Sequence, residues 1–332
     1  MKISQKETFL VLRSFRSGLN NHIYSFIYDN TESELCKLES RYIFNKEEKN
    51  RLLFSDIRIA PSSSAFIKNR LDLISFSEDY ATLIDEIKKE CICIDGFKVE
   101  YLVFDGDTTE YSARLQKLRD VGYSIEGNPE YYNPTTTYAI CYYEGIWCFG
   151  TLIKNDFAWY KHNGKPCSYS NSIGMNIAKA LVNIAGKANK SKKLLDACCG
   201  VGTIMLEACF TGVNIEGCEI NWKICRNARE NISYFNYSAN VYRSDIKDIS
   251  KRYDAAIIDL PYNLVSSATE SDIVHIIEST AEITDRLVIV STSNIASLIT
   301  NIGFRISDQC SVSKRGKRKF ARKIWVCEKD VK

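Results

Sequence analysis

Lys193-Lys-Leu-Leu-Asp-Ala-Cys-Cys-Gly-Val-Gly-Thr203, followed directly by Ile204-Met-Leu-Glu-Ala-Cys-Phe-Thr-Gly212, decides the fold of the C-terminal half of the chain. Leu194 and Leu195 end a short apolar strand at Asp196. Gly200 and Gly202 then turn the chain, and Thr203 opens an apolar helix. This is a strand, glycine-rich loop, helix unit of the nucleotide-binding kind, where missing side chains let a ligand lie against the backbone. A glycine pair also occurs in turns that hold nothing. The pair gains weight from Asp259-Leu-Pro-Tyr262, which closes another apolar strand farther along.

Outward from the loop the pattern is regular. Strand 193–197 and helix 203–211 are followed by strand 214–219, helix 221–235 and strand 240–244. Strand 254–259, helix 271–284, strand 286–291 and helix 295–301 come next. Two last strands, about 304–312 and 321–328, are joined by Lys314-Arg-Gly-Lys-Arg-Lys319, a link short enough for a hairpin, so one of them runs antiparallel to its neighbours. Strands alternating with helices predict an α/β, doubly wound, mostly parallel sheet with right-handed crossovers.

Upstream, residues 65 to 155 read as α+β. Helix 80–89, strand 96–104, helix 110–121 stopped by Gly122, and a hairpin of 137–143 with 146–150 predict a small sheet with helices on one face. Before residue 60 the signals are thinner. Thr8–Arg13 reads as a strand, His22–Tyr28 as a strand or amphipathic helix, and Glu32–Arg41 has helical spacing. Lys46–Arg51 is a charge run read as a solvated face, and Pro61-Ser-Ser-Ser64 reads as a linker. Residues 156–172, polar and aromatic with a Gly and a Pro, read as a connector crossing the surface. Ile173–Ala185 is an amphipathic helix capped by Gly186.

With 332 residues and 45 % hydrophobic content, the chain has length for two or three domains and a core that needs no disulfide or metal staple. A net charge of +3 announces no global polyanion binder, so any nucleic-acid contact must be a local patch. Thirteen cysteines include no C-x-x-C pair, and several (Cys209, Cys218, Cys225, Cys327) sit in apolar segments where a thiol packs as a small hydrophobe. Histidine occurs only at 22, 162 and 275, so no metal site is expected. The cysteine usage and the lack of a signal-like apolar start or a run of ~18 apolar residues point to a soluble, cytoplasmic protein with no membrane partner.

Taken together, the motifs resemble those of the S-adenosylmethionine (SAM)-dependent methyltransferases of Rossmann type. More narrowly, they resemble the RNA guanine-N2 methyltransferases that carry an N-terminal THUMP domain. That family's first motif runs close to D-P-F-C-G-S-G-T; Asp196-Ala-Cys-Cys-Gly-Val-Gly-Thr203 keeps its Asp, Cys199, both glycines and the Thr. Its fourth motif, usually D-P-P-Y, stands here as Asp259-Leu-Pro-Tyr262. Lys165-Pro-Cys-Ser-Tyr-Ser-Asn-Ser-Ile and the helix after it are similar to the segment preceding the family's first motif. The resemblance is specific over about 165–330, fainter over 96–155 and nearly absent before 60. It implies an N-terminal ferredoxin-like α+β region (1–60), a THUMP-like RNA-binding domain (61–155), a linker and helix (156–186) and a SAM-dependent methyltransferase domain (187–332). The last would be a mostly parallel seven-stranded sheet with a C-terminal antiparallel hairpin.

The resemblance also implies a set of roles. Asp196 would face the loop and the sulfonium side of SAM. Gly200 and Gly202 would let the methionine moiety approach the backbone, with free N–H groups where the helix opens at Thr203. Cys198 belongs to this loop as a packing residue that meets the cofactor. Glu219 ends the second strand, placed to accept hydrogen bonds from the ribose hydroxyls. Asp245 resembles the acid that meets the adenine amino group, with Asp248 a close competitor. Each position also has a plainer reading, as a glycine turn, a helix-flanking charge or a turn acid.

The chemistry is expected at Asp259-Leu-Pro-Tyr262. An exocyclic amine on a base is a poor nucleophile because its lone pair is delocalised into the ring. Accepting its N–H groups at the Asp259 carboxylate and the Leu260 carbonyl would turn that lone pair towards the methyl group. Pro261 fixes φ, and Tyr262 offers a ring on which the base can stack. Leu260 stands where the family has its first Pro. The activity so implied is methylation of the exocyclic N2 of a tRNA guanosine. N6-adenine or N4-cytosine methylation of DNA or RNA uses similar sites, and a SAM-binding RNA-interaction protein without catalysis is a third reading. Cysteine-based methylation of a pyrimidine would need a nucleophile by the base, yet no cysteine follows Asp259 until Cys310. The basic hairpin, with Lys314, Arg315, Lys317, Arg318, Lys319 and Arg322, suits either phosphate contact or a solvated tip, and Arg114, Lys117 and Arg119 could extend such a surface. No protein partner or oligomeric state is legible.

Overall fold

Apolar runs without polar alternation mark strands covered on both faces. Ala255–Asp259 and Arg286–Ser291 are such runs, and nearly every side chain in them is buried. The computed structural model describes residues 21–168, 172–261, 269–313 and 321–329. The strand expected over Thr8–Arg13, together with Tyr262 and residues 314–320 of the basic hairpin, lies outside these residues.

In chain order the first elements are β1 (His22–Phe26), α1 (Ser33–Phe44), β2 (Leu52–Ser55), β3 (Ile67–Ser77) and α2 (Tyr80–Lys89). β4 (Phe97–Leu102), α3 (Tyr111–Gly122), β5 (Thr136–Tyr143) and β6 (Ile146–Lys154) follow. After them come α4 (Met175–Gly186), β7 (Lys193–Asp196), α5 (Thr203–Thr211), β8 (Asn214–Cys218) and α6 (Trp222–Tyr234). β9 (Val241–Tyr242), β10 (Ala255–Asp259), α7 (Glu270–Ile283), β11 (Arg286–Ser291), α8 (Ala296–Asn301), β12 (Phe304–Ser313) and β13 (Ala321–Lys329) complete the described chain.

These elements fall into two units. The first holds the described residues up to Ile27, with Lys49–Pro61 and Ile67–Asn155. Its sheet has the order β2-β1-β3-β6-β5-β4, with β4 and β5 parallel around α3 and the other neighbours antiparallel. Leu83 and Ile87 of α2 and Val121 of α3 pack with Phe97, Tyr138, Ile140 and Phe149 on one face. The other face gathers Ile23, Leu71, Cys141 and Cys148 from the strands. The β5–β6 turn has both central residues, Glu144 and Gly145, at positive φ, which matches the twist of a two-residue hairpin. Lys117, expected to extend a basic surface, holds its ammonium 3.5 Å from the Tyr80 ring centre and 4.3 Å from that of Trp147. Partial burial lowers its pKa.

The second unit holds Tyr28–Glu48, Ser62–Phe66 and the described residues from Asp156 on. Its sheet has the order β12-β13-β11-β10-β7-β8-β9, in which only β13 runs antiparallel to the rest. That is the expected doubly wound α/β sheet with an antiparallel C-terminal hairpin. α1 joins this unit although it lies far away in sequence. The Arg41 guanidinium forks onto Asp308 of β12 at 2.7 and 2.8 Å. Glu39, fully buried, accepts from the Ser64 hydroxyl at 2.6 Å and the Asn183 amide at 2.7 Å. The Asn183 amide also donates to the Ser63 carbonyl at 2.9 Å. The Pro61–Ser64 stretch, read as a linker, is therefore pinned, because its polar groups are the partners that a buried carboxylate and amide require.

The connector at 156–172 is mostly exposed over its described residues, as expected, but two of its side chains turn inward. Residues 158–164 form a 3₁₀ segment in which Trp159 and His162 are fully buried. His162 Nδ1 lies 2.7 Å from Glu207 Oε1, and its Nε2 lies 2.9 Å from the Tyr237 hydroxyl. Lys179, also at 0 % exposure, puts Nζ 3.2 Å from Glu207 Oε2 and 4.5 Å from the Phe210 ring centre. Burial lowers the Lys179 pKa against the pull of Glu207. One carboxylate thus ties the connector, α4 and α5 together. Removing it strands a buried ammonium and an imidazole, so Glu207→Ala is expected to cost about 3–5 kcal/mol of folding free energy. The loss should appear as a lowered urea midpoint, with Glu207→Gln, which keeps an acceptor, falling between it and the parent protein.

Candidate functional site

Strand order in the seven-stranded sheet reverses between β7 and β10. The crevice beyond the carboxyl ends of strands at such a point is where doubly wound sheets hold ligands. Asp196 pairs in register with Ile257, and the Ala197 N–H donates to the Ile257 carbonyl at 2.9 Å. The glycine loop and Asp259 consequently leave the sheet side by side.

Two left-handed residues shape the loop, Gly200 at φ 53° and Gly202 at φ 82°, which glycine adopts at least cost. They do different work. A Cβ on Gly202 would sit 3.5 Å from that of Ala228, so this glycine lets α6 pack closely against the start of α5. A Cβ on Gly200 would meet nothing within 4 Å, and its backbone faces a cavity. The loop is also held from below. Asn231 of α6, fully buried, donates from Nδ2 to the carbonyls of Val201 and Cys167, both at 2.8 Å, and accepts the Cys167 N–H at 2.9 Å. Its amide staples the glycine loop to the connector that leads into Ser172 and Ile173 at the cavity wall.

The cavity is about 470 Å³, a size suited to a small-molecule ligand. Cys198, Gly200, Thr203, Glu219 and Asp245 of the expected cofactor set line it, as do Asp259, Leu260 and Pro261 of the expected catalytic segment. Gly202 and Asp196 do not. The Asp196 side chain lies fully buried beneath the loop rather than facing across it, and neither carboxylate oxygen has a hydrogen-bond partner among the described residues. Burial drives its pKa well above the usual carboxylate range, helped by the negative charges of Asp259 and Glu219.

Glu219 accepts the Gly200 N–H at 3.2 Å and the Asn221 N–H at 2.8 Å. Burial raises its pKa, and those two bonds oppose the rise. Asp245 accepts the Lys247 N–H at 3.2 Å and faces His275 Nε2 at the same distance. Its competitor Asp248 does not line the cavity, which separates two acids that the sequence leaves level. With Asp272, four carboxylates line the cavity among the described residues, and no Lys or Arg does. Such a wall repels a pyrophosphate and favours a cation or a donor-rich ligand. That argues against a dinucleotide and fits the sulfonium, ammonium, ribose hydroxyls and amine of SAM.

Leu260 resolves a departure from the resembled motif. Its side chain is 3 % exposed in the apolar cluster under the sheet, and its N–H donates to the Val290 carbonyl at 3.1 Å. A proline there would lose that bond; this chain holds the segment by extending the β10–β11 ladder instead. Tyr262 and the basic residues from Lys314 to Lys319 lie outside the described residues, while Arg322 stands in β13 opposite Val312. The thiols of Cys198 and Cys199 are pushed up by burial and nearby carboxylates, and burial pushes Cys310 up to about 12. None is poised as a thiolate nucleophile.

Reading the sequence missed Asn231, Asp272 and His275. Asn231 was legible as a lone amide on the apolar side of an amphipathic helix. Asp272 and His275 share the i, i+3 spacing of one helical face, but nothing in the sequence says that the face looks into a cavity.

The sequence model of the RMKL-like methyltransferase domain matches residues 163–281, from the end of the connector through most of α7. The tRNA (guanine(10)-N2)-dimethyltransferase of Methanothermobacter thermautotrophicus is 31% identical over 119 residues, 35% of each chain. The enzyme of the same name from Methanocaldococcus jannaschii is 29% identical over 118 residues, 32% of this chain and 33% of its own. The chain thus matches about a third of the length of these relatives. Among solved structures, that of TrmN from Thermus thermophilus is similar at a TM-score of 0.47 and 14% identity, covering 93% of this chain and 99% of its own.

The buried Asp196 sets a measurable property of the site. Its folded pKa is raised, so the protonated form is favoured in the folded state, and its contribution to stability is lost as pH rises above the unfolded value of about 3.9. Asp196→Asn is expected to be the more stable protein at pH 7 and to lose part of that decline, as followed by denaturant unfolding between pH 4 and pH 8. A wild-type profile no steeper than the variant's would refute the assignment. The residues that build this cavity, from the connector to α7, all fall within the segment that is similar to the RMKL-like methyltransferase domain, a likeness that points to S-adenosylmethionine as the ligand of the cavity.

Proposed function

We propose that this protein transfers a methyl group from S-adenosylmethionine to the exocyclic N2 of a guanosine in tRNA. The observation that carries this reading is the meeting of two motifs at one cavity. Gly200, Glu219 and Asp245 lie along one part of its wall, and Asp259, Leu260 and Pro261 form another. The tRNA guanine-N2 assignment is supported by the relatives named above, which are about 30% identical over the same region.

Bound in this cavity, SAM supplies an electrophilic methyl on a sulfonium that keeps the bonding pair when the methyl leaves. The protein's own part is positioning and electrostatics. Asp259 accepts one N–H of the amine, and the Leu260 carbonyl accepts the other. The lone pair then points out of the ring plane towards the methyl carbon, and the proton shed by nitrogen passes to the Asp259 carboxylate. Pro261 holds the carbonyl's direction through its fixed φ. Tyr262 is read as the surface on which the extruded base stacks. The stretch with Lys314, Arg315, Lys317, Arg318, Lys319 and Arg322 is read as a phosphate contact, and residues 61–155 as the THUMP-like part that grips the RNA.

Mass spectrometry of nucleosides from bulk tRNA tests the substrate. A deletion strain should lack an N2-methylguanosine that the parent carries, and unchanged N2-methylguanosine would remove the assignment. In vitro, Asp259→Ala should still bind SAM while transfer falls by roughly 10²-fold or more. Full activity of that variant would refute the role given to the carboxylate.

A further inference from the structure

One side of the cavity is closed by a helix face to which the resembled motifs give no role. Asp272, His275 and Ile276 of α7 lie at i, i+3 and i+4, so they share a face, and all three line the cavity. Asp272 is already committed. Its Oδ2 accepts the Thr269 N–H at 2.7 Å and the Thr269 hydroxyl at 2.8 Å, closing the capping box that starts the helix. His275 instead reaches across to another element, with Nε2 3.2 Å from Oδ1 of Asp245.

That oxygen also accepts the backbone N–H of Lys247 at 3.2 Å, so two donors converge on Oδ1. Among the described residues Oδ2 has only the mostly exposed Lys247 ammonium at 3.7 Å, too long for a hydrogen bond. The pair therefore fixes the carboxylate with one oxygen engaged and the other available. Ile246 and Ile276 stand beside it in the cavity wall, an apolar setting for a flat ring whose edge carries an N–H donor.

We propose that His275 is a positioning residue: it holds Asp245 so that the carboxylate receives the exocyclic amine of the cofactor's adenine, and so sets the preference for an amino over a keto group at that ring position. This rests on the reading of the cavity as the SAM site. A keto group would present an acceptor to an acceptor, leaving a carboxylate oxygen at the cavity wall unpaired beneath the ring, and such a site rejects the analogue that lacks the donor.

Calorimetric titration of the full-length protein with S-adenosylhomocysteine and with S-inosylhomocysteine, its keto counterpart, tests this. The wild type should prefer the adenosyl ligand by about tenfold or more. His275→Ala should bind the adenosyl ligand about tenfold more weakly and lose most of the preference, while His275→Gln, which restores an N–H donor, should recover it. The His275 side chain is 44% exposed, so the melting temperature should hardly move. A preference unchanged in His275→Ala, or both affinities falling together with the melting temperature, would overturn the role of His275 alone. A wild type that binds neither ligand would overturn the reading of the cavity, and this inference with it.

Discussion

The pairing of β7 with β10 is the constraint on which the site depends. These strands are distant in sequence, yet the Ala197 N–H closes on the Ile257 carbonyl and sets two loops at one sheet edge. Because the strand order reverses there, no crossover covers the gap, and the crevice stays open. Asp259 gets its position beside the glycine loop from that arrangement. The cavity is less a feature of any one motif than a consequence of where two parallel strands end.

Electrostatics then gives the crevice its character. Glu219, Asp245, Asp259 and Asp272 line it, and Asp196 lies buried under the loop. Burial costs Asp196 and Glu219 their hydration, and for Asp196 the charges of Asp259 and Glu219 add to the cost. A cationic ligand with several hydrogen-bond donors relieves both. The same unit carries a second buried charge group, Glu207 with Lys179 and His162, away from the cavity wall. That group is neutralised internally, and its task is to hold the connector. The first set lines the cavity, and the second is closed off inside the protein.

The strands and helices from 193 on were legible because burial on both faces demands continuous apolar runs, and glycine and proline punctuate them. Helix 203–211 and strand 286–291 lie where the pattern puts them. The connector is mostly exposed, as its composition suggests, but two of its side chains turn inward. Trp159 and His162 have a composition common on surfaces, and only the partner Glu207, many residues away, makes burial of an imidazole tolerable. The lone acid in an apolar helix and Lys179 in another were the available signals, but neither names the other. The same limit hid the attachment of α1, since Arg41 and Asp308 give no mutual sign in sequence.

Sequence alone determined the local chemistry: a tight glycine turn after a strand, an acid at the end of the next, and an acid with proline after another. Those depend on backbone sterics and side-chain type within a few residues. Tertiary structure decided which acids face one space. It sank Asp196 beneath the loop, preferred Asp245 to Asp248, brought His275 across to Asp245, and gave the N–H of Leu260 a partner in Val290. Each of these turns on distance between segments far apart in the chain, which no short-range pattern encodes.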